Sequence, residues 1–242
     1  MIAAMCGRFN VAADPLSRLL MELVGLRHPG PDNLNAAPTE TIVVLRLSER
    51  GLPELTPMRW WLTPRWAKEM STRYSMFNAK SETVSKSPAF REPFRTRRCV
   101  VPVCGFYEWA RAAGRKLPYY IHPAQAPGML LAGVWDRWQD PDTGESLDSF
   151  AVLTTAADPG LAFVHHRQPV MLALQDARRW MDPQTPAADL EPLLDSALPM
   201  PLEALPVSDW VNNARHKDAR CMQGIAEPVS VAGGAGLRGQ RP

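Results

Sequence analysis

Residues 97–109 read RRCVVPVCGFYEW, and this stretch decides the fold class. CVVPV (99–103) and GFYEW (105–109) are each too short for a helix and rich in β-branched or aromatic side chains. They predict two strands meeting at Gly105. Working outward, TIVVLRL (41–47) predicts a strand and MRWWLTPRW (58–66) a strand running into a loop. Further strands are expected at 117–122, 129–135, 149–155 and in PVMLAL (169–174).

Helix signals are fewer. Asp14-Pro15 ahead of LSRLLMELVGL puts Asp at the N-cap, Pro at the first helical position and Leu at helical spacing. Ser87-Pro88 predicts a short helix to about Phe94, and Asp158-Pro159 another that ends near His165. QDARRWM (175–181) and PAADLEPLLDSA (186–197) also read as helices. PGPDNLNAAPT (29–39) reads as a loop, and the Gly-rich sequence after about residue 226 as a disordered tail. No internal repeat or linker divides the body. One α+β domain with a mainly antiparallel sheet is the economical reading.

Composition sets limits. The chain has 242 residues, 45% of them hydrophobic, enough for a core without metal or disulfide staples. The 24 prolines favour short strands and turns over a helical bundle. No run of 18 apolar residues suggests a membrane span, and MIAAM lacks the features of a secretory signal. A cytoplasmic protein is expected. The net charge of +2 does not by itself predict a nucleic-acid partner. REPFRTRR (91–98) is a local basic cluster, which alone is most simply a solvated face.

Of the four cysteines, Cys99 and Cys104 lie in apolar surroundings and read as small core residues. They have neither CxxC spacing nor a matching His pair, so no zinc site or other cofactor is expected. Cys221 carries no motif. Cys6 follows Met5 in MCGRF. If the chain begins at Cys6, one residue carries an α-amine and a thiol on adjacent carbons. An aldehyde can form an imine with the amine, and the thiol can close it to a five-membered thiazolidine. The free amine has a pKa of about 7.7–8.0, which leaves a useful neutral fraction near pH 7.

Other candidates are ambiguous one at a time. Glu108, among Phe106, Tyr107 and Trp109, is either a proton-shuttling carboxyl in apolar surroundings or an outward-facing strand residue. His165 and His166 precede Arg167, whose like charge suits a base; a capping or packed histidine is the plainer reading. Asn78 either orients a substrate or sits in a turn. Trp60, Trp61 and Trp66, interleaved with Arg59, Arg65 and Lys68, suit single-stranded nucleic acid. Trp60 and Trp61 are adjacent and face opposite ways on a strand, so core packing of at least one is the competing reading.

The order of motifs is more specific than any one of them. MCGRF, NAAPT (35–39), MRWxLxPxW (58–66), NAKSET (78–83), RRCVVPVCGFYEW (97–109), HHRQP (165–169) and LPVSDWVNN (205–213) together resemble the SOS-response-associated peptidase family, the YedK-like abasic-site sensors. The resemblance covers about residues 5–225. It implies a single α+β domain with an antiparallel, barrel-like sheet flanked by short helices, over residues 6–225, with 1–5 absent or removed. It implies that Cys6 begins the mature chain and forms a thiazolidine with an abasic site in single-stranded DNA. Glu108 would move protons and assist self-processing. His165 would help open the sugar ring and reverse the cross-link, and Asn78 would position the sugar. Arg8, Asn35, Lys80 and Arg167 would contact phosphates or sugar, and Trp60 would stack on or wedge against a base. A monomer, nucleoid-associated when on DNA, is expected, with no membrane or metal partner. Lys80, Trp61 and Gln168 depart from the family's usual Arg, Gly, and Met or Arg.

Three readings compete. The first is covalent, lyase-like capture of abasic DNA with autopeptidase activity. The second is a cysteine peptidase with Cys6 and His165 as a thiolate pair. The third is a non-catalytic module for single-stranded or modified DNA.

Overall fold

The computed structural model describes residues 7–112 and 114–232. Cys6, the leader at 1–5 and most of the expected tail lie outside them. In chain order the elements are β1 (Phe9–Val11), α1 (Ala13–Val24), β2 (Asn33–Ala36), β3 (Thr41–Leu47), β4 (Pro53–Trp60), β5 (Asn78–Lys80), α2 (Arg91–Thr96), β6 (Arg98–Val103), β7 (Gly105–Ala112), β8 (Arg115–Pro123), β9 (Met129–Gln139), β10 (Ser146–Ala156), β11 (Arg167–Pro169), β12 (Met171–Leu172), α3 (Leu174–Met181), β13 (Leu202–Pro206) and β14 (Val229–Val231).

The strands β10–β4–β3–β6–β9 close into a five-stranded barrel, because β9 and β10 pair with each other as well. It is mixed: β10 and β4 run parallel, and the other pairs antiparallel. A second, wholly antiparallel sheet has the order β14-β13-β8-β7-β1-β2. The α+β architecture is therefore the one expected. The two layers meet at Phe9 and Trp60, whose rings stack at 3.9 Å, with Phe150 on the barrel side. Gly105 lets β7 lie close to β8: a Cβ there would meet Ile121 O at 2.6 Å.

Strand β10 changes partners along its length. Its first half belongs to the barrel, whereas Val152–Thr154 pair with β5 and Thr154–Ala156 with β11. This splaying brings Asn78, Lys80 and Arg167 to one end of the barrel.

Several local expectations are corrected. Asp14 lies in the first turn of α1, not at its N-cap; the Ala13 amide is instead met by Asp32 Oδ1 at 2.8 Å. The loop at 29–39 contains β2. The helix expected from Ser87 begins at Arg91. Residues 158–165 form turns rather than a helix, with the Asp158 carboxylate taken by the Gly160 amide at 2.8 Å. The 186–197 helix is a 3-10 helix at Ala187–Leu194, where Pro192 removes an amide donor. PVMLAL is split between β11, β12 and the start of α3. The tail expected from 226 contains β14, which pairs Val231 with Leu202.

The basic cluster at 91–98 is not simply a solvated face. Arg98 is buried and donates to the carbonyls of Trp180, Phe94, Arg95, Asp182 and Thr185, tying α2 and α3 to β6. Burial lowers its pKa to about 10, so it stays charged at neutral pH. No helix among the described residues is long and apolar enough to cross a membrane.

Candidate active site

Two adjoining clefts form beside the β7–β8 hairpin. One, of about 380 Å³, is lined by Glu108, Trp109, Arg111, Lys116, Phe163 and His165 among others. The other, of about 480 Å³, is lined by Gly7, Arg8, Pro38, Phe77, Trp109, Lys116 and Asn212. Trp109 and Lys116 line both. The larger cleft, about 810 Å³, lies at the far end of the barrel. Its Arg46, Arg97 and Arg137 are paired with Glu54, Asp136 and Asp148, which makes it a network of internal ion pairs.

Strand β1 places the N-terminal segment. Phe9 pairs with Phe106, and the Tyr107 amide donates to Arg8 O at 2.9 Å. The next step of this antiparallel register sets Gly7 level with Glu108. Glu108 is only 4% exposed, and its Oε1 accepts from the Trp109 amide at 3.0 Å. The turns at 158–165 fold over the hairpin, anchored by Phe163 edge-on to Tyr119 at 5.6 Å. They carry His165 into the cleft that Glu108 lines.

His165 Nδ1 accepts from the Arg167 amide at 3.1 Å. Burial lowers its pKa, and the nearby charges of Arg167 and Arg111 lower it further. The ring is therefore neutral near pH 7, with its proton on Nε2. The described cysteines offer no competing nucleophile. Burial raises the pKa of Cys99 and Cys221, and that of Cys104 to about 11.

Of the residues singled out from sequence, Glu108 and His165 share one cleft and Arg8 lines its neighbour. Asn78 follows Phe77, which lines the Arg8 cleft, and Lys80 is exposed two positions on. Cys6 lies outside the described residues; Gly7, to which it is bonded, lines the cleft.

Two residues do not face a groove. Trp60 is 0% exposed, and its Nε1 donates to Phe77 O at 3.0 Å, so it presents no ring face to a base. Asn35 is also fully buried. It donates to the carbonyls of Val211, Asn213 and His216 and accepts from Arg8 Nη1 at 2.9 Å, holding the 211–216 loop against the N-terminal segment. Arg167 is committed to Glu82 by two bonds, at 2.7 and 2.9 Å, and to Thr154.

Sequence reasoning missed Arg111, Lys116, Phe163 and Asn212, and named Trp109 only as a neighbour of Glu108. The Trp109 indole donates to Asn212 Oδ1 at 2.7 Å, joining β7 to the 211–216 loop. Near the rim, Thr39 holds a φ of 80°, a strained conformation for a β-branched residue, with its amide on Trp60 O. Trp66 and Tyr74 are 63% and 65% exposed on the 61–76 segment.

The family profile described as SOS response associated peptidase matches residues 5–214. The chain is 30% identical over 229 residues to the abasic site processing protein YoqW of Bacillus subtilis, covering 90% of this chain and 99% of that one. It is 31% identical over 199 residues to the abasic site processing protein HMCES of Gallus gallus, covering 72% of this chain and 58% of that one. Among solved structures, a protein from Bacteroides thetaiotaomicron superposes with a TM-score of 0.78 at 22% identity, over 91% of this chain and all of that one. A phage-related protein from Bordetella bronchiseptica gives 0.67 at 30% identity, over 84% and 94%.

Proposed function

The chain belongs to the SOS response associated peptidase family, and on that premise we propose that it processes abasic sites in single-stranded DNA by covalent capture at Cys6. The observation that carries the reading is the shared cleft of Glu108 and His165, adjoining the cleft lined by Gly7.

The chemistry balances without a cofactor. The ring-opened abasic sugar presents an aldehyde. The Cys6 α-amine adds to it, and one water leaves as the imine forms. The thiol then adds across the C=N bond, its proton passes to nitrogen, and the thiazolidine closes. This requires that Cys6 begin the mature chain, so residues 1–5 are removed or never made. Glu108 moves protons between the amine and the departing water, and assists removal of the leader. His165, neutral with its proton on Nε2, donates a hydrogen bond to the sugar ring oxygen as the ring opens, while the proton of the hemiacetal hydroxyl passes to that oxygen. Asn78 positions the sugar, while Arg8 and Lys80 meet phosphates. Asn35 supports Arg8 rather than touching DNA, and exposed Trp66 takes the base-stacking role expected of Trp60.

The test is a denaturing gel of protein incubated with a single-stranded oligonucleotide carrying one abasic site. A band resistant to denaturation is expected, lost in Cys6→Ser and in a form that retains residues 1–5. A peptidase acting on other proteins would cleave peptides with its N-terminus blocked. A binding module would bind but never give the band. Either result overturns the proposal.

A further inference from the structure

Strands β7 and β8 set Arg111 directly opposite Lys116. Directly opposed residues on antiparallel strands have Cβ atoms roughly 4.5–5.5 Å apart, and like charges in that position destabilise the pair. Trp109 lies two residues before Arg111 and so shares its face of the sheet. Both cations are exposed, and among the described residues neither takes part in an ion pair or side-chain hydrogen bond. This contrasts with Arg46, Arg97, Arg137 and Arg167, each matched to an acid. Arg111 and Lys116 both line the cleft of Glu108 and His165, and Lys116 also lines the cleft of Gly7 and Arg8.

We propose that Arg111 and Lys116 form a phosphate-binding pair that grips the DNA backbone next to the abasic sugar. The inference rests on the function proposed above and adds a substrate requirement to it: the lesion is recognised as part of a polymer, by its flanking phosphodiester. Two adjacent cations with no ion-pair partner among the described residues suit an oxyanion, and the place of Lys116 on both clefts suits a phosphate joined to the reacting sugar. Trp109, held by Asn212, lines both clefts. A consequence follows for the neighbouring histidine. Arg111 is one of the charges that disfavour protonation of His165, and a phosphate bound there offsets that influence.

The experiment compares wild type with the double variant Arg111→Ala/Lys116→Ala, and with Arg111→Lys/Lys116→Arg, which preserves both charges. Both side chains are exposed, so neither variant should disturb the fold; thermal unfolding checks this. Three probes are used: an abasic oligonucleotide, the same oligonucleotide with a neutral methylphosphonate beside the lesion, and free 2-deoxyribose, which has an aldehyde form and no phosphate. Wild type should bind the first about tenfold or more tightly than the second. The alanine variant should bind the two equally, with its salt slope reduced by about one per lost contact. The charge-preserving variant should retain the preference. Reaction with 2-deoxyribose, which carries no phosphate, should fall far less in the alanine variant than cross-linking of the abasic oligonucleotide does. An alanine variant with the wild-type salt slope and methylphosphonate penalty would overturn the phosphate pair. Failure of wild type to cross-link the abasic oligonucleotide at all would instead overturn the underlying function.

Discussion

The amide of Arg167 donates to His165 Nδ1 at 3.1 Å, and this bond fixes which ring nitrogen of the neutral imidazole carries the proton. A second proton must displace it, within reach of the Arg167 and Arg111 charges. The folded-state pKa of His165 is depressed, and so is that of His28, by burial. Such groups contribute stability that is fully present above the unfolded-state value of about 6.5 and is lost as pH falls through the lower folded-state value. The melting temperature should therefore fall from pH 7 to pH 5.5, and less steeply in His165→Asn. Thermal unfolding across that range checks the sign; a rise on acidification contradicts it.

Removing Asn35 should be costly for the fold itself. Its amide serves three carbonyls of the 211–216 loop and receives Arg8. Asn35→Ala leaves these groups unsatisfied in a buried place and should destabilise the protein by about 3 kcal/mol, read by denaturant unfolding. An effect confined to DNA affinity, with stability unchanged, would return Asn35 to the groove.

The two exposure classes of tryptophan separate fold from binding. Trp60→Ala removes the ring between Phe9 and Phe150 and should cost about 3–5 kcal/mol. Trp66→Ala should leave stability unchanged and weaken binding of undamaged single strands about tenfold, by loss of base stacking. Unfolding curves and fluorescence anisotropy on the same samples distinguish the two.

Glu108→Gln keeps the shape and hydrogen-bonding reach of the side chain but removes its capacity to exchange a proton. Cross-linking should slow by about 10²-fold with equilibrium binding of single-stranded DNA retained. A time course of the denaturation-resistant band measures it; an unchanged rate removes Glu108 from the chemistry.

Legibility followed the strength of local patterning. CVVPV, GFYEW and TIVVLRL are dense in β-branched and aromatic residues, and each forms a strand where expected. β2, β5 and β14 are three or four residues long, too short for a pattern to register, and owe their existence to the neighbours they pair with. Gly105 could be read as a junction, but its close approach to Ile121 could not. At the site, Glu108 and His165 were legible as chemistry-bearing types in ordered motifs. Their shared cleft depends on turns at 158–165 where a helix was expected. Asn35 and Trp60 lie in the expected motifs but are fully buried, and sequence order does not report burial. Arg111 and Lys116 lie outside the motifs and gain meaning only from the register that opposes them.

The account depends most on the α-amine and thiol of Cys6 both being free to react. Intact mass spectrometry of the purified protein, before and after incubation with an abasic oligonucleotide, tests this most directly. The account predicts a starting mass for a chain beginning at Cys6 and a product heavier by the oligonucleotide less one water. A protein that begins at Met1 and still gains the oligonucleotide mass would contradict it.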